Sequence, residues 1–401
     1  MKDHERIAGR VSKFRPSLTL ALKTLVGSRI DAGLPVYDFG LGETKGPLDE
    51  EIRAAGERAF REQDTMYGDP AGLPELRESV LRWMGLEGRY SIDNVIINTG
   101  AKQGLFNIFL TLCNPADAVL FEAAPWVSYQ PLAVAAYGFP VMVLSREAGN
   151  RLKVTPADLQ RNLEVRPHAR LFLLNNPVNP TGQLYDEHEV EGLLRVCVEH
   201  RVFFVLDRLY RRLLYDGRTY PEPRLDEETR PWLIQIDGMS KNFRRTGGLR
   251  IGWTIAPDDV ATAMINLQSH YTSGPATPTQ RAAQAALDHP YDTSMVTDLE
   301  RKRDLLAEHA KDIPHVDIWP TPATFYSFWD VRGAFGRTTP SGRLLRTSND
   351  VSEYLVTSEG VVTASGTGFL QDGFLRLSFA TPDQTIIEGM AAAKRAFAAL
   401  R

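Results

Sequence analysis

The segment 202–210 reads VFFVLDRLY, in which five apolar residues lead directly to an aspartate. A continuously apolar run that is rich in β-branched and aromatic residues is typical of a strand covered on both faces of a sheet. Six more short apolar runs lie between about residues 90 and 260, at 95–97, 118–121, 141–144, 171–174, 233–236 and 252–255. The sequence therefore predicts a seven-stranded sheet.

The segments between these runs, such as 103–112 and 187–200, have apolar residues at helical spacing. Alternation of strand and helix indicates an α/β fold with a mostly parallel sheet that is flanked by helices.

The pattern changes after about residue 280, where an alanine-rich helix at 280–287 and a charged helical stretch at 298–310 precede mixed strands and helices. We expect a large domain at 45–285 and a smaller α+β domain formed by 1–44 and 286–401. The segment 332–350 is rich in Gly, Arg, Ser and Thr, which predicts an exposed loop or a mobile flap.

Composition restricts the class of partner. The formal charge of the 401 residues is -4, which gives no electrostatic reason to expect a nucleic acid or an anionic membrane. The charged start has no apolar core of a signal peptide, and no uncharged apolar run approaches the ~18 residues of a membrane span. Cys113, Cys197 and the eight histidines show no metal-ligand spacing. We therefore expect a cytoplasmic enzyme that acts on small molecules and has no metal.

Polar or aromatic residues follow the carboxyl ends of five of the apolar runs, and such ends meet at the ligand-binding edge of a doubly wound sheet. The segments concerned are 99–102 (TGAK), 125–126 (PW), 175–182 (NNPVNPTG), 207–210 (DRLY) and 240–241 (SK). Each of them alone is an ordinary turn or surface sequence, but together they predict a single site.

The residue types of this site suggest a carbonyl cofactor. Lys241 is able to form a Schiff base with a carbonyl, and the Asp207 carboxylate favours the protonated state of a pyridine nitrogen. The segment 100–104 (GAKQG) opens a helix, where amides bind phosphate. Trp126 offers a face for stacking, and Tyr210 and Asn179 are able to bond a phenolic oxygen on the ring.

Seven segments in the same order resemble the pyridoxal-phosphate-dependent aminotransferases of fold type I, in the class I/II group that includes aspartate aminotransferases. They are 67–77 (YGDPAGLPELR), 99–106 (TGAKQGLF), 125–129 (PWVSY), 176–182 (NPVNPTG), 207–210 (DRLY), 240–243 (SKNF) together with 248–253 (GLRIGW), and 374–379 (FLRLSF).

The resemblance implies a role for each matching position. Lys241 would carry the cofactor and move the proton of the substrate's Cα. The remaining cofactor contacts would be Gly100, the Ala101 and Lys102 amides, Ser240 and Arg250 at the phosphate, Trp126 on the ring face, Asp207 at the ring nitrogen, and Tyr210 and Asn179 at the ring oxygen. Arg376 would bind the α-carboxylate, with Asn179 beside it and Gly42 closing over the substrate. Family members are homodimers, and Tyr67 would reach the phosphate in the partner's site. Tyr129 we interpret as structural.

Four departures from the family pattern set this chain apart. Arg208 stands where the family usually has glutamate, and Gly238 stands where a serine is common. The interval from Lys241 to Arg250 is nine residues instead of eight, so Arg244 or Arg245 is an alternative phosphate ligand. The segment 42–46 reads GETKG where relatives commonly read Gly-Glu-Pro-Asp, which puts Thr44 and Lys45 at the substrate entrance.

The predicted function is amino transfer between an α-amino acid and a 2-oxo acid, and Lys102 and Lys45 suit an acidic substrate. The alternative is a lyase or synthase that uses the same cofactor to eliminate, replace or join groups through a quinonoid, because the core motifs serve both classes.

Overall fold

The computed structural model describes residues 9, 11, 19–40, 42–146, 149 and 151–401. The strands of these residues are β1 (Tyr37–Asp38), β2 (Val95–Thr99), β3 (Ala118–Phe121), β4 (Phe139–Met142), β5 (Ala169–Asn175), β6 (Phe203–Asp207), β7 (Leu233–Gly238), β8 (Ile251–Ile255), β9 (Asp317–Ile318), β10 (Tyr326–Asp330), β11 (Val361–Val362), β12 (Ala364–Ser365) and β13 (Phe374–Ser378).

The helices are α1 (Thr19–Asp31), α2 (Glu50–Arg61), α3 (Pro74–Met84), α4 (Ala101–Leu112), α5 (Tyr129–Ala135), α6 (Pro156–Glu164), α7 (Glu187–Glu199), α8 (Met239–Asn242), α9 (Asp258–Ser269), α10 (Thr277–Asp288), α11 (Ser294–His309), α12 (Ser348–Glu359) and α13 (Asp383–Ala398).

The main sheet has seven strands in the order β2-β8-β7-β6-β5-β3-β4, which confirms the predicted α/β fold. Only β8 runs antiparallel to its neighbours in this sheet. All seven predicted runs overlap strands of this sheet, although the run at 141–144 was misplaced: the pairing of β4 with β3 begins at Phe139, two residues before that run.

Both faces of the main sheet are covered, which explains why its strands are continuously apolar. In β5, Leu171 and Leu173 pack into one buried cluster, and Phe172 and Leu174 pack into the cluster on the opposite face. All four side chains are fully buried. Since successive side chains of a strand point to opposite faces, a strand between two helical layers needs apolar residues at every position.

A second, antiparallel sheet has the order β12-β13-β10-β9 and packs with α11, α12 and α13 around a separate apolar cluster. The N-terminal strand β1 pairs with β11, so the chain before the main sheet contacts the C-terminal part. The predicted domain boundaries remain a prediction, and most of the first 18 residues of the predicted small domain lie outside the described residues, as does Leu41.

The segment 332–350 is only partly the exposed loop that we predicted. Residues 340–344 are exposed, but Ala334 and Leu345 are fully buried and the last three residues belong to α12. Thr338 exchanges two backbone hydrogen bonds with Arg401, at 2.9 and 3.0 Å. The segment is therefore anchored at both ends by apolar and backbone contacts, which the polar composition concealed.

Candidate active site

The carboxyl ends of the parallel strands border a cavity of about 1510 Å³. The predicted site residues that line it are Gly42, Ala101, Lys102, Trp126, Asn179, Asp207, Tyr210, Ser240, Lys241, Arg250 and Arg376. Residues that are far apart in the sequence thus meet at the edge where parallel strands end.

Two predicted residues do not line this cavity. Gly100 lies behind it as the N-cap of α4. Tyr67 is 96% exposed and lies outside the cavity of its own chain.

Lys241 lies on the one-turn helix α8, directly after β7. Its ammonium donates a hydrogen bond to the carbonyl of Gly42 and lies 5.7 Å from the centroid of the Phe325 ring. The side chain is half-buried, so it is held at the mouth of the sheet and is not a solvated surface lysine.

Asp207 closes β6 and is buried. Its carboxylate accepts hydrogen bonds from the Tyr129 hydroxyl at 2.7 Å and from the Leu209 amide at 3.1 Å. Burial raises the pKa of Asp207 to about 6, because no cationic side chain of the described residues bonds this carboxylate. Tyr129, which we interpreted as structural, therefore also contacts a predicted cofactor ligand. Its position three residues after Trp126 gave no indication of this contact in the sequence.

Three cationic side chains, Lys102, Lys241 and Arg250, converge at the start of α4. Burial, followed by the charges of Arg250 and Lys241, lowers the pKa of Lys102, whose ammonium lies 4.9 Å from the centroid of the Trp126 ring. Gly100 has a φ of 75°, and a Cβ placed there would lie 2.3 Å from Nη2 of Arg250. Only glycine permits this approach, which forms a cationic cradle beside the helix amides.

The longer interval between Lys241 and Arg250 is taken up locally. Residues Gly247–Leu249 form a 3-10 turn, and Arg250 follows in the left-handed conformation with a φ of 57°. Arg244 turns away and bonds Asp292 and Ser294, each at 3.1 Å. Arg250, and not Arg244, lies at the cradle.

Arg376, on β13, lies at the opposite side of the cavity and is 92% buried, with Nη1 donating to Oδ1 of Asn179 at 3.0 Å. The amide of Asn179 donates to the Tyr210 hydroxyl at 3.4 Å, and this hydroxyl lies 3.3 Å from that of Tyr326. Nε of Arg376 is buried without a hydrogen-bond partner in the described part of the chain. Tyr326 was not predicted from the sequence, because it is one of several aromatic residues in and around β10 and nothing in the sequence distinguishes its hydroxyl.

The four departures from the family pattern have visible local causes. Arg208 is fully buried on the side of β6 away from the cavity, where it bonds Gln235 and, at 2.6 Å, Glu222. A Cβ at Gly238 would lie 3.0 Å from the backbone of β8, so this position suits glycine. At the entrance, Thr44 is buried and Lys45 is exposed, and neither lines the cavity. The geometry therefore does not place Lys45 among the substrate contacts.

Two absences apply to the described residues. No helix among them is long and apolar enough to cross a membrane. No group of three or more His, Cys, Asp or Glu side chains has an arrangement that would hold a metal ion.

Comparison with known proteins places this geometry in one family. The family model described as "Aminotransferase class I and II" matches residues 33–393. A probable aspartate/prephenate aminotransferase of Aquifex aeolicus is 31% identical over 97% of this chain and 98% of its own length. The crystal structure of the aspartate aminotransferase of Rhizobium meliloti superposes with a TM-score of 0.92 at 29% identity, covering 98% of this chain and 99% of the other.

A Thermus thermophilus aspartate aminotransferase solved with maleate has a TM-score of 0.85 at 28% identity, over 97% and 99% of the two chains. The names of these relatives do not favour the lyase or synthase alternative. The chain belongs to the class I and II aminotransferases, which are fold type I transferases that depend on pyridoxal phosphate.

Proposed function

We propose that Lys241 is the residue that binds pyridoxal phosphate covalently, and that the chain uses it to move an amino group from an α-amino acid to a 2-oxo acid. One observation carries this proposal: Lys241, Asp207 and Arg376 all open on the same cavity, although they come from three different parts of the chain.

The donor set of the cavity fits the cofactor at three points. The cradle of Arg250, Lys102 and the first amides of α4 suits a phosphate, since amides in the first turn of a helix have no partner within it. Asp207 is a buried carboxylate to which no cationic side chain of the described residues bonds, as a site for a protonated ring nitrogen requires. Trp126 lines the cavity and provides an aromatic face.

When bound, pyridoxal phosphate supplies a carbonyl that reacts with amines and a ring that withdraws electrons from the substrate's Cα. The Ala101 and Lys102 amides, the Ser240 hydroxyl and Arg250 hold the phosphate. Asp207 holds a proton at the ring nitrogen, and Tyr210 and Asn179 bond the ring oxygen. The amine of Lys241, once displaced by the substrate, would remove the proton from Cα and return it to the carbon that bore the cofactor's carbonyl, on the other side of the substrate nitrogen.

Arg376 would bind the α-carboxylate of the substrate. Its guanidinium already bonds Asn179 and the carbonyl of Gly40, and its buried Nε has no partner in the described residues. A carboxylate satisfies this Nε in a planar two-point contact that lysine does not reproduce. Gly42 borders this end of the cavity, where a side chain would meet the Tyr326 hydroxyl at 3.0 Å.

An acidic amino acid is the substrate class that we infer. Lys102 places a positive charge at the cavity wall, relatives are named for aspartate, and one Thermus structure contains the dicarboxylate maleate.

We also propose a homodimer. Tyr67 is almost fully exposed, Met66 and Phe60 are exposed as well, and Tyr67 would be available to the phosphate in a partner's site. The large domain at 45–285, the small domain at 1–44 and 286–401, and a cytoplasmic location complete the proposal.

The first test is the absorbance spectrum of the protein with added pyridoxal phosphate. We expect a visible band that borohydride abolishes while it fixes the cofactor covalently to Lys241, and that is absent in Lys241→Ala; sustained turnover by this variant would refute the role of Lys241. The holoprotein is then mixed with a panel of amino acids. Conversion to pyridoxamine phosphate with release of a 2-oxo acid supports transamination, and loss of a substrate side-chain group without a 2-oxo acid product supports a lyase.

A further inference from the structure

Tyr326 is a cavity residue that has no role in the scheme above. It is the first residue of β10, its side chain is 99% buried, and it borders the cavity between Tyr210 and Arg376. Its hydroxyl lies 3.3 Å from the Tyr210 hydroxyl, and the centroid of its ring lies 4.2 Å from Cζ of Arg376.

These contacts close a ring of four side chains. Arg376 donates to Asn179, Asn179 donates to Tyr210, Tyr210 shares a hydrogen bond with Tyr326, and the face of Tyr326 returns to Arg376. The ring therefore joins the proposed carboxylate anchor to the proposed contact with the cofactor's oxygen. Phe369 covers Arg376 as well, at 5.1 Å, so the guanidinium is held by two aromatic rings.

Either of the two hydroxyls is able to donate the hydrogen bond between them. A phenol donates one hydrogen bond and is able to accept two. If Tyr326 donates to Tyr210, the Tyr210 oxygen accepts from both Asn179 and Tyr326, and its own proton is free to point into the cavity. Two donors on one oxygen also polarise its O–H bond, which strengthens the bond that this hydroxyl donates.

We propose that Tyr326 is a positioning residue: its hydroxyl orients the proton of Tyr210 toward the cofactor's ring oxygen, and its ring supports the face of Arg376. This inference rests on the proposed function, because it assumes that the cofactor and the α-carboxylate occupy the cavity as described. The two contacts are separable, since Tyr326→Phe removes only the hydroxyl and Tyr326→Leu removes the aromatic face as well.

The test is a pH titration of the visible absorbance of the holoprotein, combined with kcat and KM for the best amino acid. A donor to the ring oxygen stabilises its negative charge, so weakening that donor lets the cofactor keep a proton to higher pH. Tyr326→Phe is expected to raise the pH midpoint of this absorbance titration. Tyr210→Phe should raise it in the same direction and by more. We expect kcat to fall by ~3- to 10-fold, in the range of one neutral hydrogen bond, while KM changes less than twofold.

Tyr326→Leu is expected to raise KM by a further ~5- to 30-fold, the size of a desolvated cation–π contact. Tyr215→Phe is the matched control, because Tyr215 is equally buried and donates to the carbonyl of Thr324 but does not line the cavity. It should leave midpoint, kcat and KM unchanged.

A double variant separates a role through Tyr210 from a general loss of packing. If Tyr326 acts through Tyr210, Tyr326→Phe causes no further shift of the midpoint in a Tyr210→Phe background. A wild-type midpoint in Tyr326→Phe, or equal shifts with and without Tyr210, would overturn the inference and leave the proposed function intact. Absence of a visible band in the wild-type protein would instead remove the proposed function itself.

Discussion

The turn after β6 has two sides with opposite charge arrangements. Asp207 and Tyr210 face the cavity, where the Asp207 carboxylate bonds only a phenol and an amide of the described residues. Arg208 and Arg211 face the other way, into a buried cluster in which each guanidinium has a carboxylate partner. A buried charge is stable when it is paired. The chain itself pairs the guanidinium groups of the cluster, whereas no cationic side chain of the described residues bonds the Asp207 carboxylate. In the proposed function, the protonated pyridine ring of the cofactor supplies that partner.

The largest effect that this comparison predicts is on activity. Asp207→Asn keeps the shape of the side chain but removes the charge, so the ring nitrogen loses the partner that holds its proton. We expect kcat/KM to fall by ~100- to 1000-fold, as for other single electrostatic groups in active sites. Steady-state kinetics at saturating cofactor measures this.

The other side of the turn provides the control for that measurement. Glu222→Ala breaks the ion pair of Arg208 and should change kcat/KM by less than ~10-fold, since Arg208 does not line the cavity. Equal losses in the two variants would mean that the two sides of the turn are not functionally distinct.

The second prediction concerns the pH dependence of stability without cofactor. Burial raises the pKa of Asp207 from 3.8 to about 6, so the folded state binds this proton more tightly than the unfolded chain. The free energy of unfolding should therefore fall as the pH rises from about 4 to about 6. Above this range it should be lower by at most ~3 kcal/mol than below it.

Asp207→Asn removes this titration. The variant should be more stable than the wild-type apoprotein above pH 6 and equally stable near pH 4, as measured by urea unfolding at several pH values. Asp237, whose pKa burial also raises to about 6, remains in both proteins, and its charge contributes to the raised pKa of Asp207. A constant difference across the pH range would contradict an uncompensated charge at Asp207.

The third prediction concerns the completed side of the turn. Glu222→Ala leaves the fully buried Arg208 guanidinium without its bidentate carboxylate. Because the Glu222 side chain is itself 52% exposed, water replaces part of the lost contact, and we expect the free energy of unfolding to decrease by about 2 kcal/mol. Glu227→Ala, at an exposed position five residues along the chain, should cost less than ~0.5 kcal/mol.

The sequence predicted the structure correctly where a local residue pattern follows directly from the position of that segment in the fold. Continuous apolar runs predicted the seven main strands, and the polar ends of five of them located the cavity edge. The segment 332–350 was misjudged because its few apolar anchors, such as Leu345, are separated by polar residues that carry no period. The periodicity of apolar residues shows which face of a helix or strand is buried, and a short anchored loop has no such regular face.

The partners of individual side chains could not be predicted in the same way. Arg208 departs from the family pattern directly beside Asp207, yet its carboxylate partner Glu222 is 14 residues away on an irregular segment. Tyr129 and Tyr326 read as ordinary core aromatics, since nothing in an apolar strand or helix shows where one hydroxyl points. Such contacts depend on distances between elements, which a single sequence does not contain.

The smallest predicted effect concerns the cationic cradle at the phosphate end of the cavity. In Gly100→Ala the new Cβ would meet the Arg250 guanidinium at 2.3 Å, so Arg250 must move away from the helix amides. We expect the dissociation constant of pyridoxal phosphate to rise about tenfold, the equivalent of ~1.4 kcal/mol.

Gly85→Ala is the matched control for this variant. Gly85 has a similar φ of 67°, and a Cβ there would have no neighbour within 4 Å. Gly85→Ala should lose about 1 kcal/mol of stability, because alanine is strained in the left-handed region. Gly100→Ala should lose more, because its φ of 75° is combined with a ψ of 156°, outside the left-handed region, and only Gly100→Ala should bind the cofactor more weakly. Equal affinities in a fluorescence titration would mean that Arg250 does not contact the phosphate, and the cationic cradle would then reduce to Lys102 and the amides of α4.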